Sequence, residues 1–389
     1  MTPNVVIACG GTGGHLFPGL AVAGQLQQRG CEVALLVSPK EVDQQAVKSA
    51  HGMEIFTLPA VGLQNRNYFS FAGSFVKSLF AARKIFRRRQ PSAVLAMGGF
   101  TSAPPVLVAK DLGVKTFLHE SNTIPGKANR FLARFVDGAF IGFPEAASRL
   151  HAKKITVTGT PVRPQFFQQP ATGNRQPAMS FGLDPNRPLI LVVGGSQGAS
   201  GLNEMILSAL PLLAGRDWQW LHLTGPNDFE KVKAAYAAHG ITAVVKPFLS
   251  EMDLALGAAT ACVSRSGASS LAEIAAMRLP SLLVPYPAAA DNHQLSNALA
   301  FEKTGAARLL EQKNSTPQKI AGLLNGLVED SASRAEIKTM LAAQWHAPKA
   351  AEKIAESILG MISVGAAQKH FQVVPPMAAR GPTNLKAIA

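Results

Sequence analysis

A chain of 389 residues with 47% hydrophobic content is long enough for two domains with separate cores and too apolar to stay disordered. Its formal charge of +14 would be accounted for by nucleic acid, an anionic membrane surface or a phosphorylated substrate, or reflects a basic protein with no charged partner; the missing zinc-finger, RNP and basic–aromatic patterns rank nucleic acid last among the partners. No charge-free apolar run reaches the length of a transmembrane helix, Val5–Ala8 is too short for a signal peptide, and three scattered cysteines (Cys9, Cys31, Cys262) fit reduced thiols, so a cytosolic chain is expected.

Apolar runs at 4–8, 32–37, 55–58, 93–97, 115–118, 138–141 and 155–158 predict short strands. Helical runs at 16–29, 71–89 and 125–135 separate several of them. Strands alternating with helices imply a parallel sheet covered on both faces. The segment from Phe166 to Asn186 is polar, rich in Pro, Gln and Gly, and reads as a linker. A second alternation follows, with strands at 189–193, 218–223, 242–246, 260–263 and 281–284 and helices at 201–214, 228–238, 269–277 and 291–304. Residues 316–361 read as mostly helical, and 366–389 as a loose tail.

Two glycine-rich turns sit between a strand-like and a helix-like run: Gly10-Gly11-Thr12-Gly13-Gly14-His15 and Gly194-Gly195-Ser196-Gln197-Gly198-Ala199. Such turns let backbone N–H groups and the positive helix end approach a phosphate, or serve only as tight strand-to-helix turns with no ligand. The first is no dinucleotide fingerprint, because the second strand ends Leu36-Val37-Ser38-Pro39 without an acid. It is no Walker loop either, since no Lys-Ser/Thr follows. His15 lies where the helix begins, as a neutral base, a hydrogen-bond donor or a plain capping residue. Met97-Gly98-Gly99-Phe100-Thr101-Ser102 and His119-Glu120-Ser121-Asn122 end two further strands at the ligand edge of the sheet. In the second half Ser264-Arg265-Ser266-Gly267-Ala268 leads into a helix bearing Glu273, and Asp291-Asn292-His293-Gln294 opens another. A carboxylate there suits two ribose hydroxyls, or only the helix dipole. No His, Cys, Asp and Glu set has metal-ligand spacing.

Between Tyr68 and Gln90, Phe71, Phe75, Leu79, Ala82 and Phe86 share one stripe at about 100° per residue. Phe69, Ala72, Val76 and Phe80 widen the apolar arc, and Lys77, Lys84 and Arg88 gather on the other side. A basic amphipathic helix with surplus aromatics can dock on an anionic bilayer, with Phe71, Phe75, Leu79, Lys77, Lys84 and Arg88 as expected contacts; it can equally be a buried helix with a solvated basic face.

Over about residues 4–360, the order and spacing of GGTGGH with Phe17-Pro18-Gly19-Leu20-Ala21, MGGF, HESN, Gly159-Thr160-Pro161-Val162-Arg163, GGSQGA, SRSGA-x-x-x-x-E and DNHQ closely resemble the MurG family of UDP-N-acetylglucosamine transferases of peptidoglycan synthesis. The resemblance implies an α/β GT-B fold, two Rossmann-like domains with parallel sheets facing a cleft. The first, acceptor and membrane-associating domain is expected at 1–163 and the UDP-sugar donor domain at 164–345, with a helix near 346–362 crossing back. It implies inverting transfer of N-acetylglucosamine to the 4-hydroxyl of undecaprenyl-pyrophosphoryl-MurNAc-pentapeptide (lipid I), giving lipid II at the cytoplasmic face of the inner membrane. No cofactor, essential metal or nucleic acid is implied. Carried over by motif, Ser196, Glu273, Arg163, Gln294, Leu249 and Ala268 would form the donor site. Thr12, Gly13, Gly14 and Asn122 would line the cleft, and Arg265 or Arg163 would meet the leaving UDP. His15 is the first choice of general base and Glu120 the second. The chain departs from the family pattern at the loop from Gly62 to Asn67, which is less basic, and at HESN and MGGF, all on the acceptor side. Two other readings stand beside it: a transferase with another lipid or small-molecule acceptor, and a nucleotide-sugar-binding protein without turnover.

Overall fold

The computed structural model describes residues 2–40, 43–44, 52–60, 68–168, 176–195 and 198–371. The first sheet is built in chain order from β1 (Asn4–Ala8), α1 (Gly13–Gln28), β2 (Glu32–Val37), β3 (Glu54–Thr57), α2 (Tyr68–Arg89), β4 (Ala93–Ala96), α3 (Ala103–Asp111), β5 (Lys115–Glu120), α4 (Lys127–Leu132), β6 (Gly138–Ile141) and β7 (Ile155–Val157). Its strands run parallel in the order β3-β2-β1-β4-β5-β6-β7. β1 is buried along its whole length because both faces are covered. Val5 and Ile7 point into one apolar cluster with Leu16, Val22 and Leu26 of α1, and Val6 and Ala8 into another with Ala82 and Phe86 of α2. The sequence gives no helical period for α3, whose Pro104 and Pro105 sit in the first turn, where a missing N–H costs nothing.

The second sheet is also parallel, in the order β10-β9-β8-β11-β12-β13. It comprises β8 (Leu189–Val193), α5 (Ser200–Leu213), β9 (Gln219–Leu223), α6 (Phe229–Ala238), β10 (Ala243–Lys246), α7 (Met252–Ala258), β11 (Ala261–Ser264), α8 (Ala268–Met277), β12 (Ser281–Leu283), α9 (His293–Lys303) and the short edge strand β13 (Arg308–Leu309), followed by α10 (Pro317–Val328) and α11 (Ser331–Met340). The stretch expected as a linker is partly packed: Phe166, Ala178 and Leu183 are buried in the second core. Residues 169–175 lie outside the described ones. The final helix, α12 (Ala350–Phe371), returns to the first sheet, where Ala351, Ile354, Ala355 and Ile358 join the cluster under α1. Arg29 ties the two helices by ion pairs to Glu352 and Glu356. Helix α12 takes in the first residues of the expected tail; 372–389 lie outside the described residues.

Helix α2 corrects one expectation. Ser78, Ala82 and Phe86 are buried, Leu79 packs against the sheet, and Phe71 and Phe75 are half-buried with ring centroids 6.1 Å apart. Leu79, Ala82 and Phe86 are the part of that stripe that packs on the sheet. The outer face instead carries Phe69, 93% exposed, Phe80, 72% exposed, and Val76, with Lys77, Lys84 and Arg88 exposed beside them. Leu79 is therefore taken up by the core, Phe71 and Phe75 are half-covered, and Phe69, Val76 and Phe80 form the more exposed apolar face.

Candidate active site

The carboxyl ends of the two sheets carry the glycine turns, where open α/β sheets place their ligands. In the first turn a Cβ on Gly10 would fall 2.3 Å from Ser38 N, and Gly11 holds φ +114°, so both positions require glycine. The turn is pinned by Asp43, whose Oδ2 accepts the Gly11 N–H at 2.6 Å, and by Thr101, whose hydroxyl donates to Gly10 O. Thr12 precedes α1, and Gly13 and Gly14 form its first residues.

The His15 ring lies over Gly98 and Gly99. A Cβ on either would come within 3.0 or 3.1 Å of the ring, so the MGGF glycines make room for the imidazole. His15 Nδ1 is 3.2 Å from Thr12 Oγ1. Burial pushes the imidazole down to about 4, Asp43 opposing and Lys40 reinforcing the shift, so His15 is neutral at pH 7 and able to take a proton.

Glu120, the second candidate base, is already occupied. Its Oε1 accepts Asn122 N at 2.8 Å and Asn122 Nδ2 at 3.1 Å, and its Oε2 accepts Gly126 N at 3.0 Å and Asn129 Nδ2 at 2.9 Å. The carboxylate is buried and organises the turn after β5, which holds Asn122 at the cleft. Four accepted hydrogen bonds are the geometry of a positioning group.

On the opposite wall Gly198 packs so closely on Thr224 that a Cβ would lie 2.4 Å from its carbonyl oxygen. Helix α5 starts two residues later; Ser196 falls outside the described residues. Arg163 reaches Glu273 on α8, with 3.6 Å between guanidinium and carboxylate, and lies 4.3 Å over the Phe17 ring of α1. Burial pushes Glu273 up to about 7, with Arg163 opposing. Leu249 and Ala268 are buried at this wall, and Gln294 accepts the Tyr286 N–H through Oε1.

Arg265 is held by partners within the chain. Its Nη1 donates to Val284 O and Pro285 O, its Nη2 to Gln312 Oε1, and the side chain is buried. Burying a guanidinium requires such partners, and here they are two main-chain carbonyls just after β12 and one side-chain amide. Of the two arginines expected to meet the leaving UDP, Arg265 is thus the one already engaged by protein acceptors.

Polar contacts that the sequence does not advertise join the two walls. Ser269 at the start of α8 donates to Gly14 O at 3.0 Å, so the N-termini of α1 and α8 meet. Asn297 accepts from Thr123 N and Oγ1 and donates to Asn122 Oδ1 at 3.0 Å and to Ser266 O. Arg130 pairs with Asp291 at 2.8 Å. Asp43, which shapes the first turn, was equally unmarked: a lone acid after a strand carries no pattern.

Two parallel sheets with carboxyl edges facing across a cleft, helix N-termini on both walls and a returning C-terminal helix define a glycosyltransferase of the GT-B class. Residues 5–141 match the glycosyltransferase family 28 N-terminal domain and residues 189–357 its C-terminal domain. The chain belongs to glycosyltransferase family 28 and, within it, to the MurG family. It is 39% identical over 328 residues, 82% of this chain and 88% of the relative, to the UDP-N-acetylglucosamine–N-acetylmuramyl-(pentapeptide) pyrophosphoryl-undecaprenol N-acetylglucosamine transferase of Syntrophus aciditrophicus. The transferase of the same name from Xanthomonas axonopodis pv. citri is 38% identical, covering 91% of this chain and 81% of the relative. Among solved structures, Acinetobacter baumannii MurG superposes with a TM-score of 0.72 at 28% identity, over 92% of this chain and all of that one.

Proposed function

We propose that this enzyme moves N-acetylglucosamine from UDP-N-acetylglucosamine to the MurNAc 4-hydroxyl of undecaprenyl-pyrophosphoryl-MurNAc-pentapeptide, producing lipid II with inversion at the anomeric carbon. The observation that carries the reading is the meeting of two helix N-termini, where Ser269 of α8, the helix of Glu273, donates to Gly14 O beside His15 of α1. His15 takes the proton of the attacking hydroxyl. The departing diphosphate lies against the N-terminus of α5 and its glycine turn, where main-chain N–H groups stabilise the developing charge. Arg163 supplies a cation beside that wall. Glu273 accepts the ribose hydroxyls, Gln294 reads the sugar hydroxyls, and Leu249 and Ala268 flank the base. Thr12, Gly13, Gly14 and Asn122 receive the acceptor.

The acceptor lies in a membrane, so the first domain has to reach one. No helix among the described residues is long and apolar enough to cross a bilayer. The outer face of α2, with Phe69, Val76 and Phe80 flanked by Lys77, Lys84 and Arg88, combines apolar insertion with attraction to anionic lipid. This reading puts the enzyme on the cytoplasmic face of the inner membrane as a peripheral protein. The test is incubation with labelled UDP-N-acetylglucosamine and a lipid I analogue. A labelled disaccharide product is expected; donor binding without product would overturn the assignment in favour of a binding protein, and transfer only to other acceptors in favour of a different transferase.

A further inference from the structure

One buried titratable group plays no part in that chemistry. His222 on β9 is completely buried, as are Tyr236 on α6 and Asn203 on α5. The three form a chain whose polarity the chemistry dictates. Asn203 Nδ2 donates to Thr224 O at 3.0 Å and to Asp228 Oδ2 at 2.8 Å. Turning the amide round would set its oxygen against two acceptors, so its orientation is determined. Asn203 Oδ1, 3.0 Å from His222 Nε2, can only accept, and His222 therefore carries its proton on Nε2. Its Nδ1 is then an acceptor for the Tyr236 hydroxyl at 3.1 Å. Burial keeps the ring neutral, pushing it down to about 3 against the opposing charge of Asp228, and pushes the Tyr236 phenol up.

The far end of this chain lies under the second glycine turn. Asp228 accepts from the Ser200 side chain at the first residue of α5. Thr224 O, held by Asn203, is the atom against which Gly198 packs. Gly198 has φ +74°, so the network meets the approach to α5 at two points, Gly198 against Thr224 O and Ser200 on Asp228. A satisfied buried network of this kind specifies one geometry, because every alternative leaves a polar group unpaired in a low-dielectric interior.

We propose that His222 and Asn203, braced by Tyr236, are positioning residues that set Gly198 and the N-terminus of α5 for the diphosphate of the donor. This rests on the donor assignment made above. The network touches the diphosphate end of the site and not the base, so it should distinguish UDP from uridine. Calorimetric titration of the full chain with UDP and with uridine is the test. Asn203→Asp exchanges the donor amide for an acceptor facing Thr224 O and Asp228. It should weaken UDP binding by about tenfold or more, the worth of one buried hydrogen bond, and leave uridine within about twofold. Tyr236→Phe removes only the outer brace and should weaken UDP by about threefold in the same selective manner; if Asn203→Asp fails to fold, this variant decides by the same comparison. Equal weakening of both ligands, or unchanged UDP affinity in the folded variant, overturns the positioning role. A wild-type chain that binds no UDP overturns the donor assignment itself.

Discussion

Arg163 and Glu273 meet at the domain seam with 3.6 Å between guanidinium and carboxylate, while the same guanidinium covers the Phe17 ring of α1. One side chain thus touches α1 of the first sheet and the acid expected to hold the donor ribose.

Burial raises Glu273 from 4.5 to about 7, so between these values the folded chain keeps a proton that the unfolded chain has released. This contribution to stability is complete below pH 4.5, declines as pH rises to about 7, and is flat above. The span corresponds to roughly 3 kcal/mol. Urea denaturation of wild type and Glu273→Gln across pH 4 to 8 should show the difference between them changing in that window; a constant difference would remove the buried acid from the account.

His15→Gln should lower kcat by about 10²- to 10⁴-fold, the usual worth of a general base. UDP affinity should be unchanged, because His15 belongs to the opposite wall. With the imidazole titrating near 4, wild-type kcat/KM should stay level down to about pH 5 instead of falling below the ordinary histidine value of 6.5. Loss of donor binding in the variant would contradict the assignment.

Removing the Glu120 carboxylate strands four donors after β5. Glu120→Ala is expected to destabilise the chain by about 3 kcal/mol, seen as a lower urea midpoint. Glu120→Gln should lose part of the activity with the shape of the pH profile retained. An altered profile would restore Glu120 as a proton carrier.

The outward face of α2 separates docking from folding. Phe69→Ser with Phe80→Ser should reduce sedimentation with anionic vesicles several-fold and leave the melting temperature nearly unchanged, since both rings are exposed. Phe75→Ser with Leu79→Ser should lower the melting temperature instead. Undiminished vesicle binding of the first pair would place the docking surface elsewhere.

The strands at 4–8, 32–37, 138–141 and 189–193 were legible to the residue, because fully buried parallel strands are unbroken apolar runs. Helix α3 was not, since Ala103-Pro104-Pro105 gives no helical period until its prolines are seen in the first turn. Strand β13 is a two-residue edge with no pattern to read. Among site residues, His15 and Glu273 were visible from glycine turns and strand ends. Asn297 and Asp43 were invisible, because each acts on a partner distant in sequence or unmarked by spacing.

The sequence alone determined the two α/β units, the places where glycine turns open helices, and the family, since periodicity and motif order are local properties of the chain. Which face of α2 meets solvent, which carboxyl is already filled and which arginine is buried among carbonyls were decided by the tertiary structure. A side chain's chemistry follows from the donors, acceptors and solvent around it, and those neighbours come from segments far apart in the chain. Glu120 and Glu273 show this: both look like cleft acids in the sequence, yet four donors engage the first, while burial beside a single arginine leaves the second titrating near 7.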